Sequence, residues 1–335
     1  MQPNIELRVL KEDMVESIQP LLQNSSFEPY RFLKNELGAD LIEFWSNSIN
    51  DVVSTPNSQG LIAFQNGTPL GLVATSINSW ESDLLGKKAA VINALVVDGS
   101  IADRLDVASL LVNKAILQAK TQGVEFIQSK SYTNDLTLIH ALELHGFLLM
   151  DTVVDCFFDY RRKPLESITF PIKNDSVILR LATLEDRNQL VDVAEKSFRN
   201  HFGRFHADEQ IGHAVGTNAY IQWIHSSLDG YADWFHVAEI SGKIAGFSIW
   251  KRPSISENNL KIRVGHYSIA GIDPDFFGQG LFTLLTFAGM QSLKGVADII
   301  EGPTHINNYN VQLGYSKLGW RVLADARHTF HKWIT

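Results

Sequence analysis

The sequence predicts an α/β fold, with a mixed, largely antiparallel sheet flanked by helices, and this fold occurs twice along the chain. Each half reads, in order, as a strand, helices, a hairpin, a strand, a long helix, a strand, a helix and a final strand. Hairpins combined with strand–helix–strand units are typical of a mixed sheet with helices on both faces. Matching features of the two halves are separated by a nearly constant offset along the chain.

The hairpins carry the clearest sign of repetition. Residues 61–71 (LIAFQNGTPLG) and 235–246 (FHVAEISGKIAG) are apolar runs interrupted by Asn-Gly or Ser-Gly and closed by a second glycine. A polar residue followed by glycine between two apolar runs is typical of a tight hairpin turn. Gly67 corresponds to Gly242 and Gly71 to Gly246, and the spacing is the same for both pairs.

Two long helical patterns repeat as well. Residues 107–123 and 279–295 both end in glycine, a common helix terminator, and Gly123 and Gly295 keep nearly the same offset as the hairpin glycines. A strand, a helical stretch and a Gly-Phe or Gly-Trp pair then follow in each half, and the offset between Gly146 and Gly319 is again nearly the same. Spacings this similar indicate tandem copies of one fold.

Length and repetition together predict two domains. The chain has 335 residues, about twice the common domain size. Residues 161–175 (RRKPLESITFPIKND) form a polar, proline-containing segment between the copies, which indicates a linker. The predicted domains are therefore 1–165 and 166–335.

Composition excludes several classes of protein. Lys and Arg number 29 against 37 Asp and Glu, a net charge of −8, which argues against a nucleic-acid partner because phosphate neutralisation supplies most of that affinity. Cys156 is the only cysteine, so an intrachain disulfide is excluded. The 11 histidines show no metal-ligand spacing, and no metal is expected. No signal peptide or membrane-length apolar run occurs, so we expect a cytoplasmic protein without a membrane partner.

A pair of glycines follows an apolar run in the second half. The run ends at Ile272, Pro274 stops it, and Gly278-Gln279-Gly280 opens an amphipathic helix. Glycines at a helix N-terminus let backbone N–H groups approach an anion, and the helix dipole favours negative charge there. The segment predicts a pyrophosphate-binding loop, with a plain turn as the alternative. It lacks the Lys-Ser/Thr of a P-loop and the third glycine of a Rossmann motif.

A second block, THINNYNVQLGYSKLGW (304–320), follows the next predicted strand. Together the two blocks resemble the GCN5-related N-acetyltransferase (GNAT) superfamily, whose members carry an R/Q-x-x-G-x-G/A loop and, downstream, an N-x-x-A-x-x-x-Y-x-K-x-G-F block. The matching residues are Pro274, Gly278, Gly280, Asn308, Val311, Tyr315, Lys317, Gly319 and Trp320. Two positions depart from the pattern, with Phe277 at the Arg/Gln position and Phe282 at the last Gly/Ala position.

The resemblance implies two GNAT-like domains and an acyltransferase that moves an acetyl group from acetyl-CoA to a primary amine. A backbone N–H near Ile272 would hold the oxyanion of the tetrahedral intermediate. Tyr315 would protonate the CoA thiolate, unless its hydroxyl serves only in packing. The residues expected to bind acetyl-CoA are Ile272, Gly278, Gln279, Gly280, Leu281, Phe282 and Asn308.

An amine must lose a proton before it attacks a thioester, so we also expect a general base. His266 and Tyr267 precede the glycine loop, and Glu301 and His305 lie on the next strand. We favour His305, because imidazole titrates near neutral pH and this residue lies close to Asn308. A loop histidine without a catalytic role is the alternative.

A cationic, aromatic segment covers residues 196–230. It contains Arg204 and His206 among several phenylalanines, which suits an anionic, ring-containing substrate, although a solvated helix face has the same composition. The sequence GRFHAD (203–208), together with Thr304, resembles the TDP-amino-sugar acetyltransferases of the TDP-fucosamine type. This resemblance implies a nucleotide-linked amino sugar as the small-molecule substrate, bound by Arg204, His206 and Thr304. Alternative acceptors are a protein amine, an aminoglycoside and a polyamine.

The first half resembles the superfamily only in its order of elements. The same offsets place Asp106 and Ala108 where the two glycines should be, and Leu142 where the tyrosine should be. A carboxylate repels a phosphate, so we expect the domain 1–165 to be a degenerate, non-catalytic copy. A CoA-binding module without enzymatic activity is the remaining alternative for the chain, and its oligomeric state stays open.

Overall fold

A computed structural model describes residues 5–11, 14–25, 30–169, 176–254 and 260–334 of the chain. The chain divides into two compact units. Unit 1 comprises Met1–Thr152 with Ala326–Thr335, and unit 2 comprises Val153–Asp325. Residues 170–175 of the predicted linker lie outside the described residues. No helix in the described part of the chain is long and apolar enough to cross a membrane.

Strands and helices follow one another in the first half in the predicted order, with one further helix between the hairpin and the next strand. Its described residues form the strands β1 (Glu6–Val9), β2 (Gln59–Gln65), β3 (Thr68–Ile77), β4 (Ala89–Val97), β5 (Phe126–Tyr132) and β6 (Leu148–Asp159). Its helices are α1 (Val15–Gln23), α2 (Lys34–Leu37), α3 (Ala39–Ser54), α4 (Ser79–Leu85), α5 (Arg104–Thr121) and α6 (Leu136–Leu144).

The second half has the same order without that further helix and with a short additional strand before its last helix. Its described strands are β7 (Val177–Leu181), β8 (Trp234–Ile240), β9 (Lys243–Lys251), β10 (Val264–Ile272), β11 (Ile299–Glu301), β12 (Thr304–His305) and β13 (Arg321–Trp333). Its helices are α7 (Arg187–Phe198), α8 (Arg204–Ala207), α9 (His213–Ser226), α10 (Leu281–Leu293) and α11 (Tyr309–Lys317).

Each unit contains a mixed, largely antiparallel sheet. In unit 1 the strand order is β1-β2-β3-β4-β5-β13, in which β4 and β5 run parallel. In unit 2 the order is β6-β11-β10-β9-β8-β7, in which β10 and β11 run parallel. The predicted fold class is therefore confirmed.

Helices cover both faces of the unit 2 sheet. Successive strand residues point to opposite faces, so the neighbours Val237 and Ala238 of β8 belong to different cores. Val237 packs with the buried face of α7, which includes Leu190, and Ala238 packs with Leu285 of α10. Burial of each such leucine contributes about 1.5–3 kcal/mol to folding. The sheet thus lies between α7 on one face and α10 on the other.

The last strand of each half belongs to the sheet built by the other half. From Val153 onward, β6 pairs with β11 and β12. Conversely, β13 pairs with β5 through Arg327–Trp333. The units therefore differ from the predicted domains 1–165 and 166–335, because both terminal strands make their backbone hydrogen bonds outside their own half.

The two predicted hairpins are confirmed, and each has a two-residue turn. Asn66 and Gly67 connect β2 to β3, with φ of 51° and 82°, and Ser241 and Gly242 connect β8 to β9, with φ of 50° and 78°. Two successive positive φ angles are the mark of a type I′ turn, whose twist matches that of the flanking strands. Glycine at the second position explains the repeated Asn-Gly and Ser-Gly pairs.

The long helix starts earlier in the first half than the constant offset predicts. The segment between β4 and α5 covers only 98–103, whereas the longer segment 273–280 separates β10 from α10. Ala108 therefore lies buried inside α5 and is not the counterpart of Gly280. Asp103 directly precedes α5, so this helix also begins beside a carboxylate, although not the one that the offset indicated.

A buried histidine should make unit 2 sensitive to acid. His236 of β8 is buried, and its Nε2 lies 2.9 Å from Ser292 Oγ of α10. Burial lowers the pKa of this imidazole from 6.5 to about 4. Between these two pKa values the unfolded chain binds a proton that the folded chain does not, so stability falls as the pH drops from 6.5 towards 4. Between pH 6.5 and about 4, the His236→Asn variant should therefore lose about 2–3 kcal/mol less free energy of unfolding than the wild type.

Urea unfolding of both proteins at neutral pH and near the lower pKa measures this difference. The exposed His140, changed to asparagine in the same way, should leave the acid dependence unchanged. The same loss of stability in acid for the wild type and His236→Asn would contradict the prediction.

Candidate functional site

Two parallel strands of unit 2 separate in the middle of the sheet. β10 and β11 pair up to a last rung that joins His266 to Glu301. Beyond it β10 continues to Ile272, while the chain after β11 turns away and pairs with β6 as β12. A cleft of about 490 Å³ lies beside this last rung, and its lining includes Trp223, Tyr231, Lys251, Arg252, His266 and Glu301.

The end of β10 turns a backbone N–H towards the side of this separation. The Asp273 N–H donates to the Ala245 carbonyl of β9 at 2.9 Å. Hydrogen-bonded and non-hydrogen-bonded pairs alternate along antiparallel strands, so the N–H and carbonyl of Ile272 point away from β9. The Ile272 carbonyl accepts from Ser197 Oγ at 2.8 Å, as this orientation requires. An oxyanion donor at Ile272 needs the same orientation.

The glycine loop leads into the N-terminus of α10. Gly278 and Gly280 have φ of 79° and 72°, which β-carbon-bearing residues rarely adopt. Gly280 is the residue before α10, so no side chain at this position can accept a hydrogen bond from the first helical turn. A β-carbon at Gly278 would meet nothing within 4 Å, and Gln279 beside it is exposed. The loop thus presents backbone N–H groups and the positive end of a helix dipole to a ligand.

The two phenylalanines that depart from the GNAT pattern have different surroundings. Phe277 is 65% exposed, at the position where the pattern has Arg or Gln. Phe282 packs against α11 at Gly314, where a β-carbon would come within 2.6 Å of the ring. The absence of a side chain at Gly314 makes room for the larger ring.

Asn308 stands before the first residue of α11, and its side chain makes no capping hydrogen bond. The loop before it is fixed from within the helix, because Gln312 Nε2 donates to the carbonyls of His305 and Ile306 at 3.3 and 2.7 Å. The Asn308 carboxamide therefore does not cap α11, and it follows a loop held by Gln312, where it can contact a ligand.

His266 and Glu301 form a pair at the end of the cleft. His266 Nδ1 lies 2.9 Å from Glu301 Oε1. A carboxylate can only accept, so Nδ1 carries the proton in the neutral ring and Nε2 carries the lone pair. The register of β10 shifts between Tyr267 and Ile269, and Ser268 at this bulge also lines the cleft. A bulge of this kind redirects side chains beside a functional site.

His305, the base favoured from the sequence, has the opposite arrangement. Its Nδ1 accepts the N–H of Asn307 at 3.1 Å, so the neutral ring carries its proton on Nε2. Its ring packs against Phe202, with centroids 4.8 Å apart, and it is not part of the cleft lining. His266 lines the cleft and His305 does not, so its position favours His266 as the proton acceptor.

Tyr315 is buried in a group of aromatic rings on the α10 side of the sheet. It stacks on Trp320 at 4.3 Å between centroids, and Phe282 and Tyr267 lie at 5.7 and 6.0 Å. A β-carbon at Gly302 would lie 2.7 Å from the Tyr315 hydroxyl, so this hydroxyl reaches the end of β11. Burial raises the pKa of Tyr315 well above that of free tyrosine. The phenol thus keeps its proton at neutral pH.

The residues predicted to bind the acceptor lie outside the cleft lining. Arg204 of α8 has its guanidinium 3.8 Å from the centre of the Phe205 ring. His206 Nε2 lies 3.2 Å from Thr217 Oγ1, and burial together with His213 lowers the pKa of His206. Thr304 is buried on β12. Their predicted role in binding stays a prediction.

The cleft also contains charged residues that the sequence alone did not single out, namely Asp233, Lys251 and Arg252. Asp233 lies just before β8, and Lys251 and Arg252 lie at the end of β9. Charged residues are common at such strand ends, so their residue types alone did not indicate a site. A signal that could have found them is the register of β9 with β10. This register places the end of β9 beside the point where β10 and β11 separate.

The corresponding region of unit 1 is bridged by side chains. Arg104, the first residue of α5, donates to Asp135 Oδ2 at 3.0 Å and to Thr137 Oγ1 at 3.2 Å, which ties the N-termini of α5 and α6 together. In unit 2 the corresponding positions are Leu281 and Asn308, which cannot form an ion pair. The N-termini of these two helices are thus joined by an ion pair in unit 1, whereas the matching residues of unit 2 form none.

Comparisons with known proteins identify the fold. No family model and no curated protein matches the sequence. A tandem GNAT protein from the clavulanic acid biosynthesis pathway, solved without acetyl-CoA, is similar with a TM-score of 0.57 and 13% identity, over 98% of both chains. A GCN5-related N-acetyltransferase from Sphaerobacter thermophilus is similar with a TM-score of 0.63 and 11% identity, over 98% of this chain and 95% of the other.

A third similar structure belongs to a larger protein. It is a GCN5-related glucosamine N-acetyltransferase region in a fungal multi-domain GH3 β-N-acetylglucosaminidase, with a TM-score of 0.61 and 15% identity. The match covers 99% of this chain and 38% of that protein. The chain therefore has the fold of the GNAT acetyltransferases. More particularly, it has the tandem form of that fold, with two copies in one chain.

Within the described residues, no group of three or more His, Cys, Asp or Glu side chains could hold a metal ion.

Proposed function

We propose that unit 2 is an N-acetyltransferase that transfers an acetyl group from acetyl-CoA to a primary amine. The observation that carries this proposal is the combination, within unit 2, of an open glycine loop at the N-terminus of α10 and a His266–Glu301 pair where β10 and β11 separate. The described part of unit 1 has neither feature, since α5 begins at Arg104 directly after Asp103, and the last parallel rung of β4 and β5 joins Ile92 to Ser129. We propose unit 1 as the non-catalytic copy.

The residues of unit 2 fit acetyl-CoA. The backbone N–H groups of Gly280, Leu281 and Phe282 would hold the pyrophosphate, because a helix N-terminus with positive-φ glycines accepts an anion without steric conflict. Gly278 and Gln279 would flank it, and the Asn308 carboxamide would contact the same molecule from α11. The substrate brings an activated thioester to the site.

The chain's own residues would supply the proton transfers. His266 Nε2 would take the proton from the amine while Glu301 stabilises the resulting imidazolium. The amine nitrogen bonds to the acetyl carbon, and a backbone N–H of β10 on the His266 side of Ile272 would hold the oxyanion. The carbon–sulfur bond then breaks, and Tyr315 would give its proton to the thiolate. We favour His266 over His305 because His266 lines the cleft beside Glu301, whereas His305 does not line it.

An acetylation assay tests the proposal. The whole protein is mixed with acetyl-CoA and a panel of amines, and release of free thiol is followed. Thiol release that depends on the amine, with one acetyl-CoA bound per chain, is the expected result. Binding of acetyl-CoA without turnover on any amine would instead favour a CoA-binding module, and no binding at all would contradict the proposal.

Among acceptors, we propose an amino sugar, linked to a nucleotide or another phosphate. The GRFHAD segment supports this through its resemblance to amino-sugar acetyltransferases, and one structure with the same fold is named as a glucosamine N-acetyltransferase. The amine panel should therefore contain glucosamine, its 6-phosphate, a TDP-amino sugar, spermidine and a peptide with a free amino terminus. A best substrate outside the amino sugars would contradict this acceptor while leaving acetyl transfer intact.

Tyr315→Phe should lower kcat by about 100-fold, because positioned proton transfer typically contributes at least that factor. The substitution keeps the ring stacked on Trp320, so acetyl-CoA affinity and the melting temperature should hardly change. Steady-state kinetics and calorimetry measure both quantities. Full turnover in the variant would reduce Tyr315 to a packing residue.

A further inference from the structure

Four charged or titratable residues lie side by side across neighbouring strands of unit 2. The register places His266 of β10 directly opposite Glu301 of β11 and Lys251 of β9. Asp233, just before β8, continues the row, because its N–H donates to the Trp250 carbonyl and its carboxylate lies 3.5 Å from Lys251 Nζ. Residues directly opposite each other share one face of a sheet, with about 4.8 Å between strands. All four residues line the cleft.

The two ends of this row differ in charge. At one end, His266 and Glu301 together carry one negative charge when the imidazole is neutral. At the other end, Lys251 and Arg252 share the single carboxylate of Asp233, so one positive charge remains. Burial alone would raise the pKa of Asp233, but the Arg252 N–H and the two cations lower it overall. Asp233 therefore stays ionised, and the cleft is polarised.

The cationic end is held in place at the mouth of the cleft. Arg252 Nε donates to Asp233 Oδ1 at 2.6 Å, and its backbone N–H donates to Oδ2 at 3.0 Å. The Arg252 side chain remains 61% exposed, so donors of its planar guanidinium can still reach a ligand. Lys251 Nζ lies 4.7 Å from the centre of the Tyr231 ring and bonds to the Tyr231 carbonyl. The two cations are thus positioned before any ligand arrives.

We propose that the acceptor is a small amine that also carries a carboxylate or phosphate group, within about 10 Å of its nitrogen, that is, about two strand spacings. The amine would lie at His266 and the anionic group at Lys251 and Arg252. This inference rests on the proposed function, since it takes His266 as the base. A nucleotide-linked amino sugar fits this description.

The same polarity acts against other acceptors. A second ammonium group, as in a polyamine or an aminoglycoside, would lie beside Lys251 and Arg252 and be repelled by them. A neutral amine would gain only the contact with His266 and Glu301. The row therefore ranks acceptors as anionic first, neutral second and dicationic last.

Amines that differ only in their far end test this ranking. 4-Aminobutyrate, butylamine and putrescine have nearly the same length but end in a carboxylate, a methyl group and an ammonium group. Glucosamine 6-phosphate and glucosamine form the corresponding phosphate pair. We expect kcat/KM, measured by thiol release, to be about tenfold higher for the anionic member of each set than for the neutral one. Which set shows the larger ratio separates carboxylate from phosphate as the preferred group.

A matched pair of arginine variants locates the effect. Arg252→Gln should lower the affinity for the anionic amines about fivefold to tenfold, because Arg252 is largely exposed and its ion pairs are screened by solvent. Arg263 also directs its backbone N–H and Nε to one carboxylate, that of Asp298, but it does not line the cleft. Arg263→Gln should change nothing. Calorimetry with 4-aminobutyrate and glucosamine 6-phosphate, in the absence of acetyl-CoA, measures these affinities.

The outcomes separate this inference from the proposed function. Acetylation of all amines with equal kcat/KM, or a preference for putrescine, would overturn the anionic acceptor and leave acetyl transfer standing. Absence of thiol release with every amine would overturn the proposed function. In that case calorimetry still decides the anion site: weaker binding to Arg252→Gln than to Arg263→Gln supports it, and equal or absent binding overturns it.

Discussion

Replacement of His266 by glutamine should lower the kcat of acetyl transfer by about 100-fold to 10,000-fold, the range that positioned proton transfer contributes. Glutamine can still bond to Glu301, but it cannot accept a proton from the amine. Because the ring is only partly buried, the fold should tolerate the change. The acid limb of the pH–rate profile should disappear with it, since no imidazole remains to become protonated. Steady-state kinetics between pH 5 and 9 measure both effects.

Two further variants distinguish a catalytic base from a structural residue. Glu301→Gln removes the charge that stabilises the imidazolium, so the acid limb should move to lower pH while part of the activity remains. His305→Gln should retain most of the activity, because the lone pair of His305 is already engaged by Asn307. If His305→Gln shows the larger loss, the roles of the two histidines are reversed.

Gly280→Asp should weaken acetyl-CoA binding by about 100-fold or more, because a carboxylate about 4 Å from a phosphate charge costs about 4 kcal/mol at the effective dielectric constant of a protein surface. Asparagine has nearly the same shape and tolerates the same positive φ, so Gly280→Asn isolates the charge. The asparagine variant should lose less than about tenfold. Calorimetry with acetyl-CoA measures both affinities.

Gly242 provides the control for position. Its φ of 78° is close to that of Gly280, and it lies in the turn between β8 and β9 with nothing within 4 Å of a β-carbon. Gly242→Asp should leave acetyl-CoA binding unchanged. Equal losses for Gly280→Asp and Gly280→Asn would mean that the charge is not what matters. Unchanged binding in both would remove the loop from the acetyl-CoA site.

Local patterns predicted those parts of the fold that depend on short stretches of sequence. The turns at Gly67 and Gly242 follow from a small residue plus glycine between apolar runs, because backbone conformation there depends on the turn residues themselves. The start of α10 follows likewise from Gly278 and Gly280. The predicted start of α5 was wrong, because a constant offset assumes that the loops before α5 and α10 have equal length, and the loop before α5 is shorter.

The remaining features depend on pairing between distant residues. The row of Asp233, Lys251, His266 and Glu301 arises from strand register, which no single motif encodes. The same holds for the choice between two histidines, because the Asn307 N–H that occupies His305 comes from the loop geometry. Tyr315, by contrast, was found through its motif, while its burial among rings required the structure.

The exchange of terminal strands has a consequence for synthesis on the ribosome. β5 needs β13 as its neighbour, and the two strands are separated by about 200 residues of chain. While the second half is being translated, β5 therefore has an open edge, which can pair with other chains. The sheet of unit 1 therefore cannot be completed when its first five strands have been synthesised, because its remaining strand, β13, is made last. Its final step waits until β13 has left the ribosome, so the slow, aggregation-sensitive phase of folding should be the closure of the first-made unit.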